Sequence, residues 1–117
     1  YFRDYTCRMD NVLQNKCDPC EGGIEPLSND QISELLTQVK GWELIKSERI
    51  IREFKFKDFA RAMSFVDNVA DLAEYNDHHP DIHIHYNRVR LELWTHAIGG
   101  LSLNDFRLAK KINEMAK

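Results

Sequence analysis

Five histidines stand in the 117-residue chain, and three of them, His78, His79 and His96, are spaced so that one site could use them together for proton chemistry. A neutral imidazole accepts a proton and its conjugate acid returns one, and an unperturbed pKa near about 6.5 keeps both forms present around neutrality. A pocket holding several imidazoles can therefore take a proton from one atom of a substrate while giving one to another. Addition or elimination of water requires that combination. Asp77 stands next to the pair, where its carboxylate could orient one ring. A lone histidine at a helix end is commonly just a favourable charge at the C-terminal dipole, so the chemical reading depends on His96 being brought to His78 and His79.

Two elements must do this. From Asp58 to about Tyr75 the residues Phe59, Ala62, Met63, Val66, Val69, Ala70 and Ala73 recur at three- and four-residue steps. That period predicts a long amphipathic helix with Asp58 at its first turn, ending before the histidine pair, with Pro80 as its stop. Phe65 and Leu72 fall off the stripe and are either exposed or part of a second packing surface such as a subunit contact. Beyond Pro80, Ile82, Ile84 and Tyr86 alternate with Asp81, His83 and His85, and Val89, Leu91 and Leu93 alternate with Arg90, Glu92 and Trp94. This period-two pattern predicts a hairpin of half-buried strands. A reversal near Asn87-Arg88 sets Tyr86 opposite Val89, Ile84 opposite Leu91 and Ile82 opposite Leu93, with all six apolar side chains on one face. Continued outward, that register places His79 across from His96, with His78 beside it.

The remaining chain supplies the frame. Ser28-Asn29-Asp30-Gln31 has capping-box spacing and opens a helix with Ile32, Leu35, Leu36 and Val39 on one face and Gly41 as its end. Trp42–Ile45 and Arg49–Phe56 read as two strands joined at Lys46-Ser47-Glu48. After Gly99-Gly100, Ser102 and Asp105 read as an ordinary helix start, with Phe106, Ala109, Ile112 and Met115 as the stripe. The predicted order is αββαββα, an α+β fold in which a four-stranded antiparallel sheet carries three helices on one face. Residues 1–27 read as an N-terminal arm containing Cys17-Asp18-Pro19-Cys20, and 28–117 as one domain.

Other chemistries fit less well. His83 and His85, two apart on a strand, could pair in a zinc site, but the register sets them opposite Glu92 and Arg90 on the polar face, which with Arg88 reads as solvated. The expectation is no metal. Cys7, Cys17 and Cys20 are an odd set confined to the arm, and Cys17-x-x-Cys20 is half a zinc site without a second pair, so free thiols are the simpler reading. No Ser or Cys sits in an elbow-like setting for nucleophilic catalysis. A net charge of −3 with scattered Lys and Arg argues against nucleic acid. No apolar run is long enough to cross a bilayer, and the first residues lack the apolar core of a secretory signal, although a chain starting at Tyr1 leaves room for targeting information upstream. A soluble cytoplasmic protein is expected. Trp94 lies on the same side of its strand as His96, where an indole could stack on a flat heteroaromatic ligand or simply pack at a sheet edge.

Glu74-x-x-Asp77-His78-His79-Pro80, Tyr86-Asn87-Arg88-Val89, Thr95-His96 and Gly100-Leu101-Ser102-x-x-Asp105 together resemble the pterin-4a-carbinolamine dehydratases, from about Ser28 to the C-terminus. Phe56-Lys57-Asp58-Phe59 and the Cys17-x-x-Cys20-x-Gly22-Gly23 arm are also similar to parts of that family. The resemblance implies dehydration of 4a-hydroxytetrahydropterin to quinonoid dihydropterin, in tetrahydrobiopterin recycling for aromatic amino-acid hydroxylases, with no cofactor or metal. It implies His78 and His96 as acid and base in unassigned order, and His79 as a substrate-binding imidazole sharing the work. Asp77, Trp94, Thr95 and Ala97 fall where the family lines its pterin pocket, although His83, His85 and Trp94 stand where the family varies. A homodimer or homotetramer is implied. The alternative is a protein-binding module, since the family includes dimerisation cofactors of a transcription factor and assembly factors, with Phe65 and Leu72 as candidate contacts.

Overall fold

A computed structural model describes residues 26–116. The arm cysteines lie outside the described residues. The elements are α1 (Asn29–Leu36), β1 (Glu43–Ile45), β2 (Arg49–Lys55), α2 (Phe59–Asn76), β3 (Asp81–His85), β4 (Arg88–Leu93), a 3-10 turn (His96–Ile98) and α3 (Leu103–Met115). The strands form one antiparallel sheet in the order β1-β2-β4-β3. The αββαββα order and the α+β class are as the sequence patterns predict.

Each helix begins where a side chain can take up the free amides of its first turn. Ser28 and Gln31 form the capping box of α1, and the Asp58 carboxylate accepts from the Arg61 amide to start α2. The core is a single cluster in which Ile50, Phe54, Val89, Leu91 and Leu93 of the sheet meet Ile32 and Leu35 of α1, Phe65 and Val69 of α2, and Phe106 and Ile112 of α3.

Three local expectations are corrected. The hairpin turns one residue earlier than predicted, at Tyr86-Asn87, so that Ile84 faces Val89 and Ile82 faces Leu91. The cause lies outside the hairpin. Asn87 is clamped to the end of β2, its amide side chain donating to the Phe56 carbonyl and its own carbonyl accepting from the Phe56 amide. This fixes β4 against β2 and leaves Tyr86, at φ 56°, to make the reversal. A slip of two preserves the faces but sets His83 opposite Arg90 and His85 opposite Arg88. In α2 the buried stripe is Ala62, Phe65, Val69, Ala73 and Asn76, while Phe59 is 49% exposed. Phe65 packs on Phe54 and Phe56, ring centroids 4.7 and 4.9 Å away, and Leu72 packs against the same core, so neither is a free contact surface. Finally, Glu92 is only 5% exposed although no helix among the described residues covers its strand face. Arg49, Arg90 and His83 close around it.

Candidate functional site

The C-terminus of α2 is built to release the histidine pair. Asp77 adopts the left-handed conformation at φ 51°, ψ 41°. Its amide bonds the Glu74 carbonyl at 3.3 Å and the His78 amide bonds the Ala73 carbonyl at 3.2 Å. These are the two bonds of a Schellman termination, in which glycine is usual because it has no Cβ to clash. Here an aspartate takes the position, and the chain leaves the helix axis at once, with Pro80 preventing its resumption.

His78 turns inward. Its Nε2 lies 2.6 Å from Asp105 Oδ1, and the side chain of Asp105 has no exposed surface. The other carboxylate oxygen accepts from Thr95 Oγ1 at 2.8 Å and from the Ser102 amide at 2.9 Å. Thr95 also shares a 2.7 Å hydrogen bond with Ser102 Oγ. One buried carboxylate thus ties the end of α2, the end of β4 and the start of α3 together. Accepting from the ring fixes His78 with its proton on Nε2.

His79 turns outward and its Nε2 meets Glu74 Oε2 at 2.5 Å in an exposed pair. His96 opens the 3-10 turn that Thr95 and Gly100 close by pairing with each other. Its ring stacks on Trp94 with centroids 3.9 Å apart and an interplanar angle of 36°. Among the described residues neither ring nitrogen of His96 has a hydrogen-bond partner, which leaves both for a ligand. Trp94 is held from two further sides, by its Nε1 donating to Asp81 Oδ2 at 3.3 Å and by the Arg49 guanidinium 4.7 Å over its ring.

These side chains border one open cleft of about 310 Å³, lined by Asp77, His78, His79, Trp94, Thr95, His96 and Ala97 together with Pro80 and Asp81. Every residue singled out as catalytic or pterin-lining borders it. His83 and His85 do not. They lie on the outer sheet face, His83 with its Nε2 3.3 Å from Glu92 Oε2. Among the described residues no group of three or more His, Cys, Asp or Glu is arranged to hold a metal ion.

Asp105, which stands in the Ser102-x-x-Asp105 motif of the resemblance, reads from its position as an ordinary helix start, and its bond to His78 is not foreseen. As the third residue after Ser102 it satisfies a helix start, and that ordinary role hid the second one. Glu74 and Asp81 were likewise missed as partners of His79 and Trp94. For Asp105 the signals were its place in the Ser102-x-x-Asp105 motif and an aspartate, rather than the usual glutamate or glutamine, at the third position of the box.

A profile of the family described as Pterin 4 alpha carbinolamine dehydratase matches residues 25–115. The chain belongs to this family. It is 44% identical to a provisionally named pterin-4-alpha-carbinolamine dehydratase of Nitrosospira multiformis over 92% of this chain and 94% of that one. It is 40% identical to the Arabidopsis thaliana protein named pterin-4-alpha-carbinolamine dehydratase 2, mitochondrial, over 93% of this chain and 61% of that longer one. Among solved structures, the transcriptional coactivator/pterin dehydratase from Brucella melitensis superimposes with a TM-score of 0.75 at 37% identity, covering 80% of this chain and 100% of that one. A pterin dehydratase-like protein described as a RuBisCO assembly factor in the alpha-carboxysome shares the fold at 21% identity, with a TM-score of 0.57 over 68% of this chain and 93% of that one. No helix among the described residues is long and apolar enough to cross a membrane.

Proposed function

We propose that the cleft dehydrates 4a-hydroxytetrahydropterin to quinonoid dihydropterin by histidine acid/base catalysis, within tetrahydrobiopterin recycling. The observation that carries this reading is the convergence of His78 and His79, from the end of α2, and His96, just after β4, on one open cleft beside an indole. In the reaction the C–O bond at position 4a breaks as a proton is delivered to the oxygen. A ring nitrogen gives up its proton, and its electron pair forms the C=N double bond. Water leaves, with no net change in oxidation state. One imidazole must be protonated and another neutral for the two transfers to occur together. His78, held by Asp105, and His96, whose ring nitrogens have no hydrogen-bond partner among the described residues, are the acid and base, and His79 binds substrate and shares the work. Asp77, Thr95 and Ala97 border the ligand and Trp94 offers a face for a flat pterin.

A coupled hydroxylase assay that follows decay of the 4a-hydroxypterin tests this directly. The protein should accelerate decay, and His78→Ala and His96→Ala should each lower turnover by roughly a hundredfold while the fold is retained. Near-normal rates in both variants would remove their assigned roles. No acceleration by the unmodified protein would reject the dehydratase reading.

A homodimer or homotetramer is part of the same proposal. The edge strand β3 leaves one row of backbone groups unpaired among the described residues, with Ile84 37% and Tyr86 67% exposed beside it. Sedimentation velocity giving only the monomer mass would reject assembly. The Brucella melitensis relative is named for both coactivation and pterin dehydration, so a protein-binding role, as dimerisation cofactor or assembly factor, is the second reading. Phe59 and Tyr75, 49% and 69% exposed on α2, replace Phe65 and Leu72 as its candidate contacts.

A further inference from the structure

A second cleft, of about 430 Å³, lies at the other end of α3 from the histidines, between that helix's last turn, the turns after α1 and the middle of β2. Its floor is Arg52. The Arg52 Nη1 donates to the Lys40 carbonyl at 3.1 Å and to Asn113 Oδ1 at 2.6 Å, and the guanidinium stacks 4.3 Å over the Phe54 ring. Asn113 is itself fixed, accepting from Trp42 Nε1 at 2.8 Å and donating to the Lys40 carbonyl at 3.0 Å. Gly41, at φ 89°, completes the seat. A Cβ there would lie 2.8 Å from Arg52 Nε and 2.9 Å from Cζ, so any other residue would displace the guanidinium.

An arginine held this firmly usually answers a carboxylate, yet among the described residues no carboxylate lies within ion-pair distance of Arg52. Burial, with no acid to offset it, pushes its pKa below the ordinary value. Lys40 and Lys110 line the same cleft, also without ion-pair partners among the described residues, and the acid that lines it with them is Glu114. Three cations thus converge against one carboxylate among the described residues, in a chain whose net charge is −3. The Lys40 carbonyl, which would repel an anion at the end of the turn after α1, is already occupied by Arg52 and Asn113.

We propose that this cleft binds the phosphate group of a small phosphorylated molecule, with Arg52 as a preset fork and Lys40 and Lys110 as mobile charges closing on it. A planar guanidinium matches two phosphate oxygens, and the lysines match the second charge of a dianion better than a single carboxylate would use them. The volume falls within the range of about 300–1,000 Å³ usual for small-molecule sites.

Inorganic phosphate titrated into the isotope-labelled protein, at ionic strength held constant with chloride, tests the proposal without reference to dehydration. Saturable amide shifts should appear at residues 37–41 and 110–116, with a dissociation constant on the order of a millimolar. The Lys40→Ala/Lys110→Ala pair, which leaves the Arg52–Asn113 lock intact, should weaken binding at least about tenfold. Glu114→Gln should tighten it about two- to threefold. Shifts no larger than chloride alone gives, shifts centred on residues 77–97 instead, unchanged affinity in the double-lysine variant, or equal affinity for succinate would each overturn the assignment.

Discussion

Asp105 shows how much one buried side chain can organise. Its two oxygens accept from His78 Nε2, Thr95 Oγ1 and the Ser102 amide, so an amide in its place can satisfy only one side. In Asp105→Asn, a side-chain oxygen kept toward Thr95 and Ser102 would leave the NH2 facing Nε2 and force the His78 proton onto Nδ1. Asp105→Asn should therefore cut kcat by roughly a hundredfold with little change in KM. The His78→Ala/Asp105→Asn double variant should be no slower than His78→Ala alone. Additive losses would show that Asp105 acts other than through His78. Asp77 offers a contrasting test, because its left-handed backbone costs stability while its side chain borders the cleft. Asp77→Gly should raise stability by about 0.5–1 kcal/mol in urea unfolding and raise KM, separating conformational strain from ligand contact. The sequence singled out His78, His79 and His96 because their types and spacing are unusual for a surface, and all three border one cleft. The bond from Asp105 to His78 was not legible from position alone, because a helix-starting aspartate and a buried histidine acceptor look the same until α3 is seen against β4.

At the scale of elements, periodicity located the helices and strands, although α1 stops at Leu36, short of Gly41, and finer choices were made by neighbours the periodicity does not contain. The hairpin register was decided by Asn87 bonding Phe56, a contact between residues 31 apart. In α2 the apolar stripe includes small alanines that fit either of two adjacent faces, and the ambiguity was resolved by Phe54 and Phe56 offering their rings to Phe65. Phe65→Ala should accordingly cost about 3–5 kcal/mol in urea unfolding, the range for removing a buried phenyl ring. A cost under about 1 kcal/mol, the usual range for an exposed site, would return Phe65 to the surface. The site inherits this packing, since α2 must lie at the right depth on the sheet for His78 to reach Asp105.

For the whole molecule, the sheet face that no helix among the described residues covers is closed by charge around Glu92. Glu92 sits among Arg49 Nη1 at 3.0 Å, Arg90 Nη2 at 2.7 Å and His83 Nε2 at 3.3 Å, with Asp81 as its cross-strand neighbour. Burial alone would raise its carboxyl, but the hydrogen bonds from Arg90 and Arg49 and the charges of Arg90 and His83 hold it below its ordinary 4.5. A carboxylate whose folded value is depressed binds fewer protons in the native state than in the unfolded one. Its contribution to stability is therefore complete above the unfolded value and is lost as pH falls through the folded one. Arg49 also lies over Trp94, which packs on His96, so this cluster abuts the cleft through the Arg49–Trp94 contact. Glu92→Gln should lower stability by about 1–2 kcal/mol at pH 7, less than for a fully enclosed pair because both arginines keep contact with water. The gap between the parent and Glu92→Gln in urea midpoints should narrow as the pH is taken from about 5 toward about 3. A gap constant across that range would mean that Glu92 supports the sheet by its shape, with its charge contributing nothing.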